Sequence, residues 1–280
     1  MDKLMIVDGS NLLFQMFYGM PARIVNARGR AIQGTLGFVG ALLKMVRMVQ
    51  PTHMAVLFDG EYVSSRTELN PDYKGNRVDY TQMAEEDTPF SQLPDIYAAL
   101  DCLGICHRET SVCEADDWIA GYARQYGREM EVVIVSQDSD FFQLITERVS
   151  ILRYRGEKTV ICTPDYLRQK LAVAPEQYAA FKSLTGDTAD HIRGVDGIGP
   201  KTAAALMEQF GDLDMLLSNA EQIRRPSVRK AVREHAERIR RNYLLICLEG
   251  EGILPFALEE LCWKYSGMTT IEVLKKIGVR

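Results

Sequence analysis

Nine carboxylates in this 280-residue chain fall into short groups, each directly after an apolar run: Asp8, Asp59, Glu114-Ala-Asp116-Asp117, Asp138-Ser-Asp140 and Asp187-Thr-Ala-Asp190. Two aspartates as close as Asp138 and Asp140 repel at neutral pH unless a proton or a cation lies between them. If all nine converged without a cation, repulsion would destabilise the fold. Oxygen-only ligands select hard cations such as Mg2+ or Mn2+. So many of them suggest two cations about 4 Å apart, an arrangement suited to in-line attack on a phosphodiester. Each acid alone has a plainer use. Asp is favoured at helix N-caps, and acids in a first turn, as at Glu114 to Asp117, complement the helix dipole. On the Asp138 stretch alone, capping and ligation weigh equally. The collective pattern favours the cations.

The elements that must hold these acids alternate between strand and helix. Leu4-Met-Ile-Val-Asp8-Gly9 and Met54-Ala-Val-Leu-Phe-Asp59-Gly60 are apolar runs ending in Asp-Gly, and residues 34–49 between them carry apolar side chains at helical spacing. That is a β-α-β start with a carboxylate at each strand tip, where ligands bind in open α/β sheets. Val132-Val-Ile-Val135 reads as a buried strand ending at Asp138 and Asp140, and the apolar run after them reads as the start of a helix. Residues 92–103 and 176–185 read as further helices, 104–108 as a short strand, and 149–153 and 159–162 as a hairpin around Arg155-Gly-Glu. Residues 61–90 are polar and keep no core-facing period, so this insertion of about 30 residues reads as a lid or gateway. The expectation is an α/β fold: a mostly parallel central sheet flanked by helices over residues 1–165, then a helical region over 166–280.

Other chemistries find little support. The six cysteines form no CxxC pair and read as reduced, mostly buried thiols, and the four histidines form no ligand pair. Zinc and a histidine-based triad are therefore not expected. A phospho-aspartate phosphatase would want a second Asp two residues after the first, but Asp8 is followed by Gly9 and Ser10. No apolar run approaches the roughly 18 residues needed to span a bilayer. The start, Met1-Asp-Lys-Leu-Met-Ile-Val-Asp8, lacks the pattern of a signal peptide, which points to the cytoplasm. Net charge is −5, yet residues 224–241 hold eight Arg and Lys against Glu234 and Glu237. A phosphate-binding footprint and a solvated helix face account equally well for that run.

Gly194-Val-Asp-Gly197-Ile198-Gly199-Pro-Lys201-Thr202 misses the P-loop pattern because Pro200 separates Gly199 from Lys201. It fits a helix-hairpin-helix better, over residues 194–210. Glycines let backbone approach a phosphate, amides at the following helix start point at it, and Pro200 suits the first helical position. Such a turn grips DNA backbone without reading sequence. An ordinary tight helix-helix turn is the alternative.

In these groups the chain resembles the 5′ nucleases, the family of bacteriophage flap endonucleases and of the N-terminal nuclease domain of bacterial DNA polymerase I. The pieces that carry the resemblance are Val7-Asp8-Gly9, Phe58-Asp59, Tyr73-Lys74-Gly-Asn-Arg77, Glu114-Ala-Asp116-Asp117, Asp138-Ser-Asp140, Gly186-Asp187-Thr-Ala-Asp190 and the hairpin motif. It implies a PIN-like 5′ nuclease core, with residues 61–90 as a helical arch. It implies a first metal among Asp8, Asp59, Glu114 and Asp116, and a second among Asp138, Asp140, Asp187 and Asp190. Asp117 would support the site. Lys74 and Arg77 would bind the scissile phosphate, with Arg66 and Tyr73 beside them contacting DNA. Gly197, Ile198, Gly199, Lys201 and Thr202 would hold the downstream duplex, with K+ bound through backbone carbonyls. The implied activity is structure-specific 5′-3′ exonuclease and flap endonuclease hydrolysis with Mg2+ or Mn2+. The implied partner is branched or nicked DNA, RNA primer hybrids included, and the implied state a cytoplasmic, nucleoid-associated monomer. His191 stands where the family usually shows Asn, and Ser136-Gln137 where it shows Thr-Ala or Thr-Asp. A catalytically weak branched-DNA binder and a PIN-type ribonuclease are the alternatives.

Overall fold

The computed structural model describes every residue except Met1, Pro21, residues 61–64, Arg77, Glu249, Glu251 and Arg280. Its first half alternates strand and helix: β1 (Lys3–Asp8), α1 (Gly9–Gly19), α2 (Gln33–Val49), β2 (His53–Phe58), α3 (Ser65–Leu69), α4 (Leu93–Leu103), β3 (Cys106–Glu109), α5 (Ala115–Tyr126), β4 (Glu131–Val135), β5 (Val149–Arg153) and β6 (Val160–Cys162). Among the described residues the strands form one six-stranded sheet in the order β3-β2-β1-β4-β5-β6. Every pairing is parallel except β5 with β6, which is the expected hairpin.

Burial on both faces explains the unbroken apolar runs of the central strands. Alternate residues feed two cores. Leu4, Ile6, Leu57, Val132 and Ile134 pack on one face with Ile119 and Ala120 of α5. Met5, Val7, Val56, Val133 and Val135 pack on the other with Phe38 and Leu42 of α2 and Ile96 and Leu100 of α4. The chain leaves β1 toward β2 on one side of the sheet and reaches β4 on the other. The order therefore reverses between β1 and β4, and a crevice opens outside their carboxyl ends. Asp8 ends β1, and Asp138 follows β4 by three residues.

The second half is α6 (Pro164–Leu171), α7 (Tyr178–Thr185), the two-residue strands β7 (Gly186–Asp187) and β8 (Ile192–Arg193), α8 (Pro200–Phe210), α9 (Leu213–Ser218), α10 (Pro226–Glu234), α11 (Ala236–Ile246) and α12 (Thr270–Lys276). Leu184, Ala203, Leu206, Leu216, Val232 and Ile239 join the α5 side of the core. The tail returns to the opposite side. Trp263 donates its indole N–H to the Leu103 carbonyl at 2.9 Å, and Val273 of α12 packs into the α2 core.

Three expectations change in detail. The apolar run after Asp138-Ser-Asp140 makes only a 3-10 turn, Asp140–Leu144. The Gln143 side-chain amide donates to the Asp140 carbonyl at 2.8 Å, the acceptor that the N–H of Leu144 would need in an α-helix. Described residues of the 61–90 insertion form α3 and the 3-10 turns Tyr80–Gln82, Glu85–Asp87 and Pro89–Gln92, not long helices. All six cysteines are free, but only Cys162 is buried, because the others lie toward element ends or in loops. Among the described residues, no helix is long and apolar enough to cross a membrane.

Candidate metal centre

Asp8 sits where β1 turns into α1, and each of its oxygens has a separate task. Oδ1 accepts from the Asn11 amide at 2.9 Å, which caps α1, while Oδ2 accepts from the Ser136 hydroxyl at 2.8 Å across the switch point. Burial pushes its carboxyl up to about 7, helped by the charge of Asp59 and opposed by the Asn11 amide and Ser136 hydroxyl. Asp59, exposed at the end of β2, accepts the Ala115 amide at 3.0 Å and so caps α5. Asp116, in the first turn of α5, is also raised well above the ordinary carboxylate range. Burial is the largest cause, followed by Asp8, with Lys74 pulling it down and Asp138 and Asp59 pushing it up. Asp8, Asp59, Asp116 and Asp138 thus lie within one electrostatic field. A carboxylate held protonated by burial and like charge takes up a divalent cation in the proton's place.

Asp140, Asp187 and Asp190 form a second group, each presenting a carboxyl oxygen within 4.8 Å of the others. Asp138, expected in this group, lies outside it among the described residues and joins the two fields instead. Its Oδ1 accepts the Asp140 amide at 2.8 Å, so capping and placement beside a cation site coexist. Burial lifts Asp140 to about 7, Asp138 adds to this, and Lys182 opposes it.

Lys182 is the residue that sequence reasoning missed. Its ammonium, on α7, lies 2.8 Å from Asp140 Oδ1 and 3.1 Å from Ser139 Oγ, and it also bonds Asp187 Oδ2. Burial, the largest single influence, works against its charge, but Asp140, Tyr178 and Asp187 together outweigh it and the pKa is raised. A signal existed: Lys182 is the only charged residue in Tyr178–Thr185, and it lies five positions before Asp187.

Arg66 and Lys74 of the insertion face inward. Arg66 on α3 is buried, and its guanidinium is directed into the protein. Nε donates to the Leu245 carbonyl at 3.1 Å; Nη1 reaches Asp117 Oδ2 at 2.9 Å and Glu114 Oε2 at 3.2 Å; Nη2 reaches Asp117 Oδ1 at 2.8 Å and the Cys247 carbonyl at 3.1 Å. With four N–H bonds and an ion pair directed into the protein, it braces the interior at the position where the resemblance implied a DNA contact. Asp117 is its partner, with both oxygens taken. Tyr73 is likewise buried, its hydroxyl 3.4 Å from Glu114. Lys74 Nζ lies 2.8 Å from the same Glu114 oxygen, while its backbone N–H donates to the Asp190 carbonyl at 3.0 Å. The insertion therefore touches both acid groups through one residue. Arg77, expected to work with Lys74, lies outside the described residues.

Both departures from the family pattern have physical accounts. His191 has φ +58°, a left-handed backbone that Asn tolerates and His adopts more readily than most residues. Its Nδ1 lies 3.1 Å from the Asp72 carbonyl, so it ties the insertion to the Asp187–Asp190 turn. Ser136 keeps the hydroxyl that Thr would supply. Gln137 pins neighbouring elements, with its N–H on Asn11 Oδ1 and its side-chain amide on the Tyr154 carbonyl.

The hairpin between α7 and α8 follows the expected chemistry in part. Gly197 has φ +85°, Gly199 is the N-cap residue of α8 and Pro200 its first residue. Lys201 is exposed and Thr202 partly so. Ile198, expected at the DNA surface, is buried because its side chain joins the α5 core. In the basic run, Arg229 and Arg233 face Glu221 and Lys230 faces Glu234, while Arg224, Arg225, Arg240 and Arg241 are exposed.

Carboxylates gathered at the switch point of a mostly parallel sheet, backed by a helical hairpin half, define an α/β protein with an acidic cluster that fits metal binding. Residues 3–172 match the family model described as 5′-3′ exonuclease, N-terminal resolvase-like domain, and residues 173–268 match that described as 5′-3′ exonuclease, C-terminal SAM fold. The chain belongs to the 5′-3′ exonuclease family. It is 34% identical over 239 residues to DNA polymerase I of Thermus thermophilus, covering 85% of this chain and 28% of that protein. It is 32% identical over 282 residues to DNA polymerase I of Bacillus subtilis, covering 99% and 31%. The chain therefore spans less than a third of these relatives. The bacteriophage T5 D15 protein, co-crystallised with metal ions, superposes with a TM-score of 0.72 at 25% identity, covering 88% of this chain and 90% of that one. The catalytic core of Rad2 bound to DNA shares the fold, with a TM-score of 0.60 at 15% identity over 99% of this chain and 93% of that one.

Proposed function

We propose that this chain is a structure-specific 5′ nuclease that removes 5′ flaps or 5′ nucleotides from branched or nicked duplex DNA, RNA primer strands included. The observation that carries this reading is the convergence of buried carboxylates at the switch point, with Asp8 and Asp140 holding protons up to about pH 7. Oxygen donors in that number suit Mg2+ or Mn2+. Asp8, Asp59, Glu114 and Asp116 would hold one cation and Asp140, Asp187 and Asp190 the other, with Asp138 beside both groups. When bound, the two cations neutralise the charge that develops on the phosphate and activate the attacking water.

The chain's own residues set the geometry. Ser136 and the Asn11 amide fix the plane of the Asp8 carboxylate, and the Asp140 amide fixes that of Asp138. Arg66 and Asp117 hold the start of α5, and with it Glu114 and Asp116. Lys74 and Arg77 bind the scissile phosphate. Water adds to phosphorus as the bond to the 3′ oxygen breaks, leaving a 5′-phosphate on one product and a 3′-hydroxyl on the other. Gly197, Gly199, Lys201 and Thr202 grip the duplex backbone, and the hairpin carbonyls take K+. A 5′-labelled flap substrate tests the reading. Cleavage with Mg2+ that stops in chelator supports it; no product with either Mg2+ or Mn2+ rejects it.

A further inference from the structure

Lys182 is unusual for a residue among candidate cation ligands, because it carries the same sign of charge as the cation. Its side chain is 10% exposed, and its ammonium has three donors and three acceptors: Ser139 Oγ, Asp140 Oδ1 and Asp187 Oδ2. Two of those three acceptors belong to the three carboxylates within 4.8 Å of one another. The helix fixes the arrangement, since α7 ends at Thr185 and the chain turns at once into Gly186 and Asp187. Lys182 and Asp187 therefore come from adjoining elements, whereas Asp140 comes from the loop after β4. The other carboxylate field differs in kind. There Arg66 and Lys74 gather on Glu114, and no described lysine or arginine bonds the carboxylates of Asp8, Asp59 or Asp116.

We propose that Lys182 is a resident counter-cation that weakens the Asp140–Asp187–Asp190 site for its divalent cation, so that this site fills second. The inference rests on the cation chemistry proposed above. An ammonium within hydrogen-bonding distance of two ligand oxygens already neutralises one of the charges that attract the cation, and it repels the cation over a few ångströms of protein interior. Lys182 is a positioning residue. It keeps the acids together before the cation arrives and lowers the affinity with which the cation is held.

Calorimetric titration of the purified, chelator-treated protein with Mn2+ reads this directly, without activity. The wild-type chain shows a tighter and a weaker binding event. Lys182→Met, which keeps length and loses charge, tightens the weaker event at least tenfold and leaves the tighter one within threefold. Lys182→Arg keeps the weaker event near the wild-type value. Lys182→Gln, which can still donate to Asp140 and Ser139, replaces Lys182→Met if that variant does not fold. A gain in affinity separates this role from a structural one, which would only lose it. An unchanged or weakened second event in the charge-neutral variants, with the first intact, overturns the inference alone. Absence of any Mn2+ binding in all the proteins overturns both the inference and the cation chemistry beneath it.

Discussion

Replacing Arg66 with Met removes a buried guanidinium that makes four hydrogen bonds and an ion pair inside the protein. The loss takes from Asp117, which is 8% exposed, the guanidinium that bonds both its oxygens, and leaves the Leu245 and Cys247 carbonyls with one donor fewer each. Breaking a buried pair by removing one partner costs roughly 3–5 kcal/mol, because the surviving charge cannot regain its hydration. For a chain of this size each kcal/mol moves the melting temperature by about 2–4 °C, so Arg66→Met melts roughly 6–20 °C below wild type. Thermal unfolding followed by circular dichroism in chelator reads this. Adding Asp117→Leu removes the buried charge that Arg66 balanced, so the double variant is more stable than Arg66→Met by about 2 kcal/mol or more. Flap affinity measured below the melting range is unaffected, since the Arg66 guanidinium is directed into the protein. A melting temperature within 2 °C of wild type, or a loss of DNA affinity with stability intact, would refute the brace and restore Arg66 as a DNA contact.

Stability should also depend on pH in an unusual direction. Asp8 and Asp140 hold protons to about pH 7 in the folded chain, against 3.8 as the ordinary value. Between those values the folded state binds more protons than the unfolded, so their contribution falls as pH rises from about 4 to 7. In chelator the chain therefore melts lower at pH 8 than at pH 5.5, and Mg2+ raises melting more at pH 8; equal Mg2+ shifts at both pH values would count against it. Gly186→Ala places a Cβ 2.4 Å from the Gly194 nitrogen at φ +81°, and urea unfolding should show a loss of roughly 1–3 kcal/mol. Lys201→Ala should weaken binding to duplexes of any sequence and lower the slope of log affinity against log salt by about one. An unchanged slope would remove Lys201 from the phosphate contacts.

The parts of this fold that the sequence announces are those where one local signal suffices. Central parallel strands buried on both faces must be apolar throughout, so Leu4–Val7 and Val132–Val135 stand out, and the acids that end them stand out by contrast. Long amphipathic helices such as Gln33–Val49 declare themselves by period. What stayed hidden depends on tertiary partners. Arg66 reads as a surface cation in a polar insertion, and only the return of α11 turns it inward. Lys182 reads as a solvated helix residue until the loop after β4 brings Asp140 against it. The residues after Asp140 have the composition of a helix, yet one Gln143 amide claims the carbonyl that helix would use. His191, where the family usually shows Asn, sits at a left-handed backbone position that only the structure reveals.

Asp138 stands between the two carboxylate fields, and substituting Asn there keeps size and capping while removing charge. The most direct measurement is the single-turnover cleavage rate of Asp138→Asn on a 5′-flap substrate in Mg2+, with flap affinity measured in Ca2+. The account predicts a rate reduced by roughly 100-fold or more, with affinity within threefold of wild type. A rate within tenfold of wild type, or a loss carried by affinity alone, would contradict the claim that these acids gather cations for phosphodiester hydrolysis.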